Sequence, residues 1–326
     1  MKLPRRKFLH LAAGAAALPA VSRIAWAQAY PARPVRVIVP YAPGGPTDLF
    51  GRLIAQKLSE HLGKQFYVEN IGGANGNIGM GRAAKAAADG YTILIVSPSY
   101  TTNPTLYNNV PYDPYKDFEP IAVAVTNPLL VIINPWVQVQ TVKDLIALIK
   151  ANPGKYNYAT GGTGSAAHLV GEQLRLSLGL DLVHIPYNSA GLAIGSVVAG
   201  HAPIYIGSPA PALPQIEEGK LRALAVTSKT RWKTLPGVPA MAEIGYTDIE
   251  GENWQAVLVP AGTPKEVITL LNQEVIKIVM LPDIKERMAV LGFEPVANTP
   301  GESAFQIRAE IAKWAKIIRA ANIKAE

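Results

Sequence analysis

Two glycine-bearing turns hold the residues best placed for chemistry. The first lies in VRVIVPYAPGGPTD at 35–48. A β-branched run (Val35, Val37, Ile38, Val39) suits a buried parallel strand, Pro40 and Pro43 end it, and Gly44 and Gly45 form a turn without Cβ atoms. Pro46 fits the first position of a helix, and Phe50, Leu53, Ile54 and Leu58 recur at helical spacing. The second turn, Thr160-Gly161-Gly162-Thr163-Gly164-Ser165, links a strand at 156–159 to a helix at 166–178. Free N–H groups at the start of such helices bind small anions beyond the strand ends. No Lys or Arg lies between Val37 and Gly51, so an anion held by the first loop must be met by backbone and hydroxyl groups. An ordinary strand-to-helix turn has the same spacing, and spacing alone does not separate the two.

The second loop admits two other chemistries. Gly162-x-Gly164-x-x-Ala167 resembles a dinucleotide fingerprint, with Asp181 near the place of a ribose-binding acid. That reading gives an exported nucleotide-dependent oxidoreductase. Ser165 and His168 share a face of the helix start, which gives an exported hydrolase if a third group orients the pair. However, no G-x-S-x-G elbow is present. His168 also reads as a hydrogen-bonding residue behind the loop. His61, His184 and His201 are scattered without metal spacing, and Walker-type loops are absent. No metal and no cofactor are expected.

The 326 residues are 49% hydrophobic and 17% charged, the balance of a globular protein with a large core, and their number suggests two domains. There is no cysteine, which excludes a disulfide framework, a thiol nucleophile and a thiolate metal site. Residues 1–27 read as an export signal. Lys2, Arg5, Arg6 and Lys7 precede a short apolar stretch, and Ala25-Trp26-Ala27 is a small-x-small cleavage pattern. The run Arg5-Arg6-Lys7-Phe8-Leu9 resembles a twin-arginine signal, an ordinary secretory signal with two arginines being the alternative. The segment carries five positive and no negative residues, so its removal takes the net charge from +7 to +2. No strong basic field is left for nucleic acid.

Strand and helix patterns alternate along the rest of the chain, as in an α/β protein. Further strands are expected at 66–70, 91–96, 182–186, 203–206, 221–226 and 254–259, with one long bent strand at 121–134. The stretch 71–81 reads as a glycine-rich loop running into a helix through Ala88, and 103–120 as an irregular connection. Helices are expected at 142–150, near 190–199 and 211–218, at 264–280, from Pro282, and at 301–321 with Phe305, Ile311, Trp314 and Ile318 on the buried face. The order fits two domains joined by two crossings: 28–125 with 259–326, and 126–258. Hydroxyl, amide and aromatic residues fall at or near strand ends, namely Tyr41, Ser97, Ser99, Tyr100, Thr101, Tyr187, Asn188, Ser208 and Trp254. With one glycine loop per domain, they could line a cleft around a small anion.

In these motifs the chain resembles the Bug family, the periplasmic solute receptors of tripartite tricarboxylate transporters. The matching stretches are YPARPVRVIVPYAPGGPTD, KLSEHLGKQFYVEN, DGYTILI, YDPYKDFEPIA, ANPGKYNYATGGTGSAAHL, VHIPY, EGKLRALAVTS and RAEIAKWAKII. The resemblance implies a two-domain, hinge-bending binding protein like other periplasmic binding proteins, with its ligand cleft between the domains. It implies no catalysis, and delivery of a small organic acid to membrane components of such a transporter. It places a ligand carboxylate on the first loop (Ala42 to Asp48, with Gly44, Gly45 and Thr47) and on the glycine loop (Thr160, Gly161, Gly162, Thr163, Gly164 and Ser165), and Tyr41 and His168 stand beside these loops among the expected ligand-binding residues. Ser97, Ser99, Tyr100, Tyr187 and Ser208 complete the expected lining. The chain departs from the family pattern at Pro46, at IGGANGNIG, and at Gly207-Ser208-Pro209, where an acid and Asn are usual. The missing acid and the neutral donors favour a dicarboxylate of about four to six carbons over an amino acid, with an aromatic carboxylate as the rival.

Overall fold

A computed structural model describes residues 30–325; the export-signal reading of 1–27 lies outside the described residues. Tyr30 and Pro31, joined by a cis peptide, and Ala32 belong to a first unit, Met1–Ala32. Arg33–Glu326 form one compact unit that carries both sheets described below.

In chain order the elements are β1 (Val35–Val39), α1 (Pro46–Leu62), β2 (Phe66–Asn70), α2 (Asn77–Ala84), β3 (Thr92–Val96), α3 (Ser99–Leu106), β4 (Phe118–Pro128), β5 (Leu130–Ile133), α4 (Val142–Ala151), β6 (Tyr156–Thr160), α5 (Ala166–Leu178), β7 (Leu182–Pro186), α6 (Ala190–Val198), β8 (Ile204–Gly207), α7 (Leu213–Glu217), β9 (Arg222–Val226), β10 (Glu252–Pro260), α8 (Lys265–Val279), α9 (Pro282–Val290), β11 (Glu294–Pro295) and α10 (Pro300–Ala320). The first sheet has the order β11-β4-β10-β3-β1-β2 and the second β7-β6-β8-β5-β9. β1 runs parallel to β2 and β3, and β6 parallel to β7 and β8. β10 and β5 enter their sheets antiparallel.

The expected bent strand is two strands in different sheets. β4 lies in the first, β5 in the second, and Leu129 alone separates them. β10 returns the chain to the first sheet from residue 252 onward. Along β5, Leu130 and Ile132 join one hydrophobic cluster while Val131 and Ile133 join the other, the period-two alternation of a strand covered on both faces. Thr227 braces the crossings. Its hydroxyl accepts from Leu129 N at 3.1 Å and donates to the Gly251 carbonyl at 2.5 Å.

The helix α10 begins with a capping box between Thr299 and Glu302. Its Ile307 and Ile311 pack into the first-sheet core, and its Trp314 and Ile318 into the second. Phe305, expected on the buried face, is 77% exposed. The segment at 97–106, read as a polar strand end and irregular connection, contains α3, whose Thr101, Thr102 and Asn103 are buried. The helix after the glycine-rich loop ends at Ala84 rather than Ala88.

Candidate functional site

Two adjoining cavities open where the strand ends of both sheets meet. The outer one, about 360 Å3, is lined by Asn75, Ser97, Pro98 and Ser99, by Gly161 through Ala166, and by Tyr187, Asn188 and Asn253. The inner one, about 170 Å3, is lined by Leu129, Gly161, Ser165, Ala166, Ala167, Ala190, Tyr205, Gly207, Ser208 and Asn253. Neither lining contains an Asp, Glu, Lys, Arg or His.

The start of α5 is the polar centre of this arrangement. Ser165 caps it, accepting from His168 N at 3.2 Å, and Leu169 N returns to the Ser165 carbonyl. The N–H groups of Ala166 and Ala167 precede the first intrahelical bond, and both residues line the inner cavity. The helix dipole adds partial positive charge at the same place. Glycine is required at two neighbouring positions: Gly162 has φ +140° and Gly164 φ +74°. A Cβ at Gly161 would come to 2.9 Å from Ala190 N, so only glycine lets the loop lie against the start of α6.

His168 stands behind this loop. Its Nδ1 accepts from Gly164 N at 3.0 Å, and its ring stacks on His184 with centroids 3.7 Å apart. The far side of His184 meets Thr160, with Nε2 and Oγ1 2.7 Å apart. Burial, reinforced by Arg175, holds the His168 imidazole down to about 4. Burial and then His168 hold His184 down to about 3, so both rings are neutral at physiological pH. Thr160 and His168 are therefore supports of the loop, not parts of either lining.

The first loop is braced from within. Asp48 accepts from Gly44 N at 2.8 Å, Arg52 Nε at 2.9 Å and Asn70 Nδ2 at 2.8 Å. These donors outweigh the opposing effect of burial and keep its carboxyl below the usual range. The expected anion donor Gly44 N–H is thus engaged by the loop's own carboxylate. Ala42 and Gly44 are exposed, Gly45 is half-buried and Thr47 is buried, and all lie outside the two linings. Tyr41 orients the hydroxyls that do line the outer cavity. Its hydroxyl accepts from Ser97 Oγ at 2.8 Å and is hydrogen-bonded to Ser99 Oγ.

Three expected lining residues are engaged elsewhere. Tyr100 is 1% exposed, stacks on Tyr112 and donates to the Pro114 carbonyl, and burial raises its phenol. Thr101 donates to the Pro98 carbonyl at 2.7 Å. Trp254 donates its indole N–H to Glu310 at 2.8 Å. Glu310 also accepts from Trp314 at 3.4 Å, and burial, opposed by these indoles and Lys313, pushes its carboxyl up to about 7. Reading the residues missed Asn75, Asn253 and the backbone of Ala166 and Ala167. Asn75 has the positive φ (+52°) that Asn tolerates, and its side chain donates to Asn103.

The enzymatic alternatives fail on geometry. Ser165 Oγ donates to the Gly162 carbonyl at 2.7 Å, and His168 Nδ1 is occupied by Gly164 N, so no Ser–His proton pair exists. Asp181 precedes β7. Since β6 and β7 are parallel and Tyr156 pairs with Leu182, Asp181 lies at the sheet edge opposite the glycine loop, which follows Thr160. Among the described residues there is no group of three or more His, Cys, Asp or Glu placed to hold a metal ion. No described helix is long and apolar enough to cross a membrane.

Residues 50–323 match the family described as the tripartite tricarboxylate transporter family receptor. The chain is 37% identical over 300 residues to Protein BugT of Bordetella pertussis, covering 91% of this chain and 92% of that one. Among solved structures, Rpa4515 of R. palustris with adipate is 34% identical, with a TM-score of 0.78 over 90% of this chain and 99% of that chain. MatC from Rhodopseudomonas palustris with bound malate is 28% identical, with a TM-score of 0.73 over 89% of this chain and all of that one. With its two-sheet α/β fold, its cleft between strand ends and no catalytic constellation in that cleft, the chain belongs to the tripartite tricarboxylate transporter receptor family, as a solute-binding receptor and not an enzyme.

Proposed function

We propose that this receptor captures an unaminated dicarboxylate of about four to six carbons in the periplasm, after export directed by residues 1–27, and delivers it to the membrane components of a tripartite tricarboxylate-type transporter. The observation that carries the ligand reading is the lining itself. It offers the N–H groups of Ala166 and Ala167 and the side chains of Ser97, Ser99, Tyr187, Asn188 and Asn253, with no carboxylate to meet an ammonium group. Asp48, the remaining acid near the first loop, has both oxygens engaged. A desolvated ammonium without a partner is costly. Neutral donors to a charged carboxylate each contribute about 1.5–3 kcal/mol, so several give useful affinity without an arginine.

The adipate and malate held by two similar proteins support the same class. In this reading the sheets are the cores of two lobes that close on the ligand, hinged near Leu129 and the stretch before β10. Gly161 through Ser165, Tyr187 and Ser208 contact the ligand, while Tyr41, Asp48, Thr160 and His168 hold its surroundings. Calorimetry with succinate, malate, adipate, terephthalate and glutamate tests the reading, with small-angle scattering to follow closure. Saturable binding of an unaminated diacid, with a smaller radius of gyration in the complex, is the expected result. Tight glutamate binding with no response to any unaminated acid would overturn it.

A further inference from the structure

Part of the inner cavity's wall comes from Tyr205, two positions before Gly207 on the same strand. Tyr205 and Gly207 are alternate residues of β8 and share a face of the strand. Tyr205 is 0% exposed and belongs to the same hydrophobic cluster as Ala159, Ala193 and Ile194, and its hydroxyl donates to the Ser208 carbonyl at 3.2 Å. A Cβ on Gly207 would overlap that hydroxyl and the adjoining ring carbon. The phenol end therefore fills the space that a side chain at 207 would take. Both residues line the inner cavity, along with Leu129 and Ala167. The rim shared with the outer cavity is Gly161, Ser165, Ala166 and Asn253.

Resting on the receptor reading above, we infer that Tyr205, admitted by Gly207, is the residue that sets ligand length. An acid anchored at the shared rim extends past Ala167 and Leu129 until it meets the phenol. Shortening the side chain at 205 deepens the cavity. Adding a methyl at 207 drives the phenol toward the cavity, because the rest of its ring is packed in the core. The two changes act on one wall in opposite directions, which a merely structural role would not do.

The test is calorimetry of the wild type, Tyr205→Leu, Tyr205→Phe and Gly207→Ala with succinate, glutarate, adipate, pimelate and suberate, with circular dichroism to verify folding. One methylene in an apolar pocket changes affinity by about tenfold or more. Tyr205→Leu should move the long-to-short affinity ratio about tenfold toward longer acids, and Gly207→Ala should move it toward shorter ones. Tyr205→Phe removes only the hydroxyl and should move the ratio in the same direction as Tyr205→Leu but by less. Equal weakening for every acid, or an unmoved length profile in folded variants, overturns the inference while leaving the receptor reading intact. A wild type that binds none of the five acids overturns the dicarboxylate reading and this inference with it.

Discussion

Lowering the pH from 7 to 4.5 should act on the buried groups in opposite directions. His168, held from 6.5 down to about 4, and His184, held down to about 3, fold as neutral rings. Their contribution is complete above pH 6.5 and is lost as pH falls, because the unfolded chain takes up protons that the folded one refuses. At 1.36 kcal/mol per pKa unit, His168 alone is worth about 3 kcal/mol by pH 4. Glu310, raised from 4.5 to about 7, has the opposite sign. The folded state holds its proton between those values, so acidification to pH 4.5 recovers roughly 3 kcal/mol. The assay is urea unfolding of the wild type, His168→Gln and Glu310→Gln at pH 7 and 4.5. Glu310→Gln should lose about 3 kcal/mol more than the wild type on acidification, and His168→Gln should lose less. Parallel losses in all three proteins would refute the assignment of these groups.

Gly162→Val should fold, since a Cβ there meets nothing nearer than the Tyr187 carbonyl at 3.5 Å. Its φ of +140° would nevertheless impose strain of about 1–3 kcal/mol and misplace the loop, so calorimetry should show at least a tenfold weaker acid. Wild-type affinity would remove Gly162 from the site. Asp48→Ala leaves Gly44 N, Arg52 and Asn70 without their acceptor and should lower unfolding stability by about 2 kcal/mol, read from the urea midpoint. A loss below about 0.5 kcal/mol, as at an ordinary surface position, would show that the brace is idle.

Much of the fold was legible because its signals are local. The β-branched runs, Pro46 and the glycine turns each state a backbone preference within a few residues. The losses came where packing decides. α3, SYTTNPTL, has weak helix formers and an internal proline, yet buries Thr101, Thr102 and Asn103. The division between β4 and β5 falls just after Thr126-Asn127-Pro128, and that break reads equally as a bend within one strand because apolar residues resume at Leu129. In the site, residue type located the glycine loop, Ser97 and Ser99. It could not tell which hydroxyls and rings turn inward, so Tyr100, Thr101 and Trp254 were read as lining. The Asp48–Arg52 pair carried a readable sign, since opposite charges four apart on a helix attract.

The position of β10 has a consequence for biosynthesis. The second sheet is drawn from one continuous stretch, β5 to β9, and its strands are all present once residue 226 has been made. The first sheet receives its middle strand, between β3 and β4, only from residues 252–260. A nascent chain thus carries β3 with one edge open and β4 with no strand partner for more than a hundred residues of synthesis, and exposed edges are where chains mispair. The helix that reaches into both cores, α10, comes later still. The earliest strands of the polypeptide are consequently among the last to be sealed into their sheet.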